Sequence, residues 1–118
     1  MKKKILGIVI ILSAAIILVA CGSSKPKTMS QETYDNGCRA LEVMEKYNDM
    51  EVSAEDAEER LDSIDSSMEK ETFAEGELIA ETDNLLIRMD IHSFIYALHG
   101  MTGSTYDAED ELRERLGK

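Results

Sequence analysis

From Ser30 to the end of the chain, apolar residues recur at the three- and four-residue spacing of helices, with polar residues between them. Plotted at about 100° per residue, Tyr34, Gly37, Cys38, Ala40, Leu41, Val43, Met44 and Tyr47 cover one broad side of a helix predicted over Ser30 to Asp49. Asp35, Arg39, Glu42, Glu45, Lys46 and Asp49 fill the other side, and Ser30 and Thr33 are both N-cap candidates. A second helix opens at Ser53-Ala54-Glu55-Asp56, where a capping hydroxyl precedes a carboxylate by three residues and Val52 and Ala57 are spaced as a hydrophobic staple. Its stripe of Ala57, Leu61, Ile64 and Met68 is narrow and touches one surface.

A third helix is predicted from the capping box Thr72-Phe73-Ala74-Glu75, with Gly76 able to move the start a few residues on, to about His99, where Gly100 can supply a left-handed cap. It carries two apolar faces. Leu78, Ile79, Leu85, Leu86, Met89 and Tyr96 form one, and Ala80, Ile87, Ile91, Phe94 and Leu98 the other. Such a helix calls for two neighbours, which the first two helices can supply. Residues 104–116 show a cap at Ser104 with Asp107 and a thin stripe of Ala108, Leu112 and Leu116, the pattern of a short docked helix or a frayed tail. The expected fold is all-α: a small antiparallel three-helix bundle over residues 30–118 with a short C-terminal helix. Connections fall at Met50-Glu51 and near Glu71, and one core suffices for about 90 residues.

The first 21 residues follow another pattern. Lys2, Lys3 and Lys4 precede a run from Ile5 to Ala20 that is aliphatic apart from Gly7, Ser13 and its alanines. That is the layout of an export signal. The run is short of the roughly 20 apolar residues that a membrane span needs, and it gives way at once to Gly22-Ser23-Ser24-Lys25-Pro26-Lys27. Leu18-Val19-Ala20-Cys21 resembles the lipobox of bacterial lipoproteins. The resemblance implies that the Cys21 thiol receives a diacylglyceryl group, that residues 1–20 are cleaved off as a signal peptide, and that the new amino terminus is open to acylation with a palmitate-type chain. The lipid bilayer would then be the first partner, at the extracytoplasmic face of the cell membrane. Residues 21–29 become the lipidated cysteine and its linker. The alternative reading is an uncleaved single-span anchor in which Cys21 is incidental. Further on, Ala40 to Tyr47 and Val52 to Leu61 are similar to the helical hairpin of small uncharacterised lipoproteins of Gram-positive bacteria, which implies a fold and a cell type but no activity.

Charge changes the picture again. Removing residues 1–20 takes three of the 13 basic residues and leaves ten against all 24 acidic ones, a formal charge of −14. Binding to nucleic acid depends on Lys and Arg neutralising phosphates, so nucleic acid is not an expected partner. Lys25 and Lys27, close to the anchor, are the local exception and can draw the linker to anionic head groups. With Cys21 committed to lipid, Cys38 is the only other cysteine, and no intramolecular disulfide is expected.

Candidate chemistry is sparse. His92 and His99 lie about 10.5 Å apart along a helix, too far to grip one metal alone, and fall on a polar strip with Glu81 and Arg88 as solvated or bridging histidines. Glu55, Asp56, Glu58 and Glu59 lack the alternating ligands of a calcium loop and complement the positive helix end at Ser53. Cys38 is expected as a half-buried filler, and Met44, Met68 and Met89 as core residues. There is no nucleophile elbow, phosphate loop or metal-binding His pair at turn spacing. The expectation is a non-enzymatic protein-interaction module that works with an envelope protein and without a cofactor. The alternative is a small-ligand or ion-binding lipoprotein accessory to a membrane transporter.

Overall fold

The computed structural model describes residues 25–118, and their regular structure is four helices: α1 (Gln31–Asn48), α2 (Ala54–Glu69), α3 (Leu78–Leu98) and α4 (Thr105–Arg115). Each packs on the next, α4 closes back on α1, and α1 also reaches α3 across the middle. Neighbours run antiparallel, as their cross-links require: Thr33 at the start of α1 meets Glu71 just past the end of α2, and Glu58 early in α2 meets His99 at the end of α3.

Three helices begin where a serine hydroxyl accepts from the backbone of the first turn. Ser30 caps α1 through Thr33 N, Ser53 caps α2 through Asp56 N, and Ser104 caps α4 through Tyr106 N. Ser30 thus prevails over Thr33, whose side chain is buried instead. The third helix starts later than its capping box suggests. Glu71 is tied to α1 by Ser30 and Thr33, Gly76 turns the chain at φ 95°, and α3 begins at Leu78 with no side-chain cap.

Three of the four helix exits, those of α1, α3 and α4, share one geometry. After α3, Gly100 sits at φ 68° while the N–H groups of Gly100 and Met101 donate to Ala97 O and Tyr96 O, the Schellman arrangement. The same pair of bonds closes α1, from Met50 to Tyr47 O and from Glu51 to Lys46 O, but the left-handed position is held by Met50 at φ 61°. A side chain there meets its own backbone, which costs about 1–2 kcal/mol relative to the right-handed region.

One core joins all four helices. Tyr34, Met44, Leu61, Met68, Ile87, Ile91, Phe94, Leu112 and Leu116 are all fully enclosed. The broad side of α1 is buried as its spacing predicts, with Tyr47 half-buried edge-on to Phe94 at 5.7 Å between ring centres. Gly37 permits a close approach: a Cβ there would stand 2.8 Å from Leu116 Cδ2 and 3.3 Å from Ile87 Cδ1. The C-terminal segment is docked, with Ala108, Leu112 and Leu116 all in the core. Cys38 is buried more deeply than a half-buried filler.

The expectation that both faces of α3 are covered is overturned. Ile87, Ile91 and Phe94 are buried, whereas Leu78, Ile79, Leu85, Met89 and Tyr96 are exposed, and Leu86 is half-buried. Met89 is therefore not a core methionine, unlike Met44 and Met68. The reason is the closed ring. α1, α2 and α4 all meet α3, its buried residues face them, and among the described residues no helix covers the opposite side.

Candidate functional site

The uncovered side of α3 is the most distinctive surface among the described residues. At about 100° per residue, Leu78, Leu85, Met89 and Tyr96 fall within about 20° of one line, directly opposite Ile87 in the core. Their exposures are 70, 50, 60 and 49%. Ordinary surfaces carry single apolar residues, whereas here four are aligned on one side of one helix, with Leu85 and Met89 one turn apart. Thr82 and Ser93, exposed and uncharged, lie about 40° and 60° to one side of the line, and His92 and Glu81 lie about the same angles to the other.

One flank of this line is an ionic seam to α2. Asp65 accepts from Arg88 Nε at 2.8 Å and pairs with His92 Nε2 at 3.0 Å, and Glu58 pairs with His99 Nε2 at 2.8 Å. Burial pushes the Asp65 carboxyl up, but the hydrogen bonds and charges of Arg88 and His92 together hold it below its ordinary 3.8. Both histidines thus bridge helices. Of the acidic cluster, Glu58 serves His99 and Asp56 pairs with Arg60 at 3.2 Å, while Asp56 N is held by the Ser53 cap.

The other flank carries the incoming chain. Residues 27–30 border Gly76, Glu77, Ile79 and Ala80, and Thr28 donates to Asp83 Oδ2 at 3.0 Å. The chain leading back to Cys21 therefore meets the bundle beside the N-terminal end of α3. Leu18, Val19, Ala20 and Cys21 themselves lie outside the described residues.

Two buried polar centres were not anticipated from the sequence. Glu71 accepts from Ser30 Oγ at 2.6 Å and from Thr33 Oγ1 at 2.7 Å, and Asn84 Nδ2 donates to Thr33 Oγ1 and to Met68 O. On α3, Asp90 is 2% exposed and accepts from Arg115 Nε at 2.6 Å. Burial pushes its carboxyl up to about 6 against the pull of the guanidinium, and Glu111, which shares Arg115 at 2.7 Å, adds to the rise. An acid set between Met89 and Ile91 in an aliphatic run is the signal that would have exposed it, since a buried charge calls for a partner.

The groove between α1 and α2, about 570 Å³, is lined by Arg39, Glu42, Lys46, Asp56, Arg60 and Ile64, and two of its cations are paired within their own helices, Lys46 to Glu42 and Arg60 to Asp56. Among the described residues no group of three or more His, Cys, Asp or Glu side chains is placed to hold a metal ion. Comparisons with protein-family models, with curated proteins and with solved structures find no match.

Proposed function

We propose that this chain is a non-enzymatic lipoprotein of the cell envelope, held on the extracytoplasmic face of the membrane through acyl chains on Cys21, whose bundle offers the outer side of α3 to a protein partner. The observation that supports the contact is the line Leu78, Leu85, Met89 and Tyr96, exposed and uninterrupted by charge on a domain of strongly acidic balance. Transfer of such side chains from water to a partner is worth about 25 cal/mol per Å² of apolar area, a gain that the closed bundle cannot realise internally. Anchoring rests on the likeness of Leu18-Val19-Ala20-Cys21 to a lipobox. One acyl chain holds a protein reversibly and two hold it stably, at about 0.8 kcal/mol per buried methylene.

Metabolic labelling with an alkynyl fatty acid tests the anchor: the wild-type chain takes up label, and Cys21→Ala loses it and keeps residues 1–20. Label on the Cys21→Ala chain, or none on the wild type, refutes it. A photo-reactive amino acid at Met89, activated in native membranes, tests the contact. A protein adduct supports the reading, and its absence in repeated trials removes it.

A further inference from the structure

The apolar line on α3 has a symmetry that its composition alone does not require. Its members are spaced by seven, four and seven residues, from Leu78 to Leu85, Met89 and Tyr96. That order reads the same in both directions. Two copies of the helix laid antiparallel, with a two-fold axis level with Ile87, bring Leu78 opposite Tyr96 and Leu85 opposite Met89, each pairing occurring twice. An isologous contact demands such self-complementarity.

The flanks agree with that register. Glu81, Arg88 and His92 lie along one edge of the line, and the antiparallel register places Glu81 of one copy within about one residue's rise, 1.5 Å, of His92 of the other. Glu81 therefore meets His92, whose Nε2 is held by Asp65 of its own copy, twice at the rim; Arg88, paired with Asp65, lies nearly level with its counterpart beside the axis, and Thr82 and Ser93 face each other without charge.

Where the chain enters agrees as well. Residues 27–30 border Ile79, about 100° around the helix from Leu78. The two-fold axis is perpendicular to both helices and to the line joining them, so it keeps the two entering segments on one side of the pair. Lys25 lies four positions after Cys21, a reach of at most about 14 Å, so both anchors would meet a single bilayer. Confinement there raises the effective concentration of each copy for the other and offsets the repulsion between two strongly acidic domains.

We infer that the occupant of the α3 outer face is a second copy of this chain, paired antiparallel about Ile87 on the same membrane. The inference rests on the reading of this face as a contact surface, and its test separates the two. Full-length Leu78→Cys and Tyr96→Cys chains carrying different tags are co-expressed and oxidised in native membranes, with the wild type, whose Cys38 is buried, as background. Antiparallel pairing sets two copies of position 78 about 27 Å apart, and cysteines more than about 7 Å apart do not bridge. The mixed 78–96 product is expected to exceed either self-linked product by about tenfold, and adding Leu85→Glu to both chains should return it to background. Self-linking of Leu78→Cys equal to the mixed product overturns the antiparallel pair. No mixed product, together with a photo-adduct from Met89 to a different protein, overturns self-pairing and leaves the contact reading standing. No mixed product and no protein adduct, or adducts to lipid alone, overturn both.

Discussion

Replacing Asp90 by asparagine is expected to make the folded domain more stable at neutral pH, although it removes one partner of an ion pair. The carboxylate is 2% exposed and sits at about 6 against an ordinary value of 3.8, because burial disfavours its charge more than Arg115 favours it. A folded-state value above the unfolded one means that the native chain binds more protons between the two, so this group's contribution to stability is full below about pH 4 and is lost as pH rises through about 6. A difference of this size corresponds to roughly 3 kcal/mol at pH 7, an upper value because the amide must itself be solvated or bonded. Asparagine is neutral throughout and keeps an oxygen for Arg115, which retains Glu111 at 2.7 Å and is not left as an orphaned charge. Urea unfolding followed by far-ultraviolet circular dichroism, on wild type and Asp90→Asn side by side, isolates the effect, since relief of general acidic repulsion is common to both. The variant should lead by about 1–3 kcal/mol at pH 7, with about half of that lead gone by pH 5 and most of it by pH 4. Asp65, held below 3.8, stabilises above that value and loses its contribution only as pH falls through its lower folded value, outside this window. If the variant is less stable than wild type at pH 7 and the gap does not change with pH, the pair is a net stabilising one and the reasoning fails.

The complementary substitution Arg115→Met strands the Asp90 charge and should cost about 3 kcal/mol at pH 7, with much of that loss recovered at pH 5 in the same unfolding assay. Met50→Gly should raise stability by about 1 kcal/mol, read as a higher urea midpoint, because Met50 is 92% exposed and has little packing to lose while φ 61° suits glycine. Glu71→Ala removes the acceptor shared by Ser30 and Thr33 and should cost about 2 kcal/mol, with faster amide exchange in the first turn of α1. Leu85→Glu should change the stability of the isolated domain by less than about 0.5 kcal/mol, since Leu85 is 50% exposed on the side of α3 away from the core; a large loss would mean that the outer face of α3 supports the fold.

The helices of this chain were largely legible in its sequence. The Ser30 and Ser53 caps, the exit at Gly100, the broad side of α1 and the stripe of α2 all follow from local rules, because caps and periodicity depend on residues within a turn of one another. Spacing also identified both apolar faces of α3. Periodicity groups residues onto a face but says nothing of what that face meets, so it did not reveal that Leu78, Leu85, Met89 and Tyr96 look outward. That choice depended on α4, whose thin stripe of Ala108, Leu112 and Leu116 completes the ring against α1 and α3. Asp90 shows the same division. Its place in an aliphatic run is local information, but its partner Arg115 lies 25 positions away on another helix, and only packing brought the two within 2.6 Å. By itself, the sequence determined which segments coil, where they stop and which residues share a side. The tertiary structure decided which side is inside, because burial is settled by helices far apart in the chain that compete for the same core.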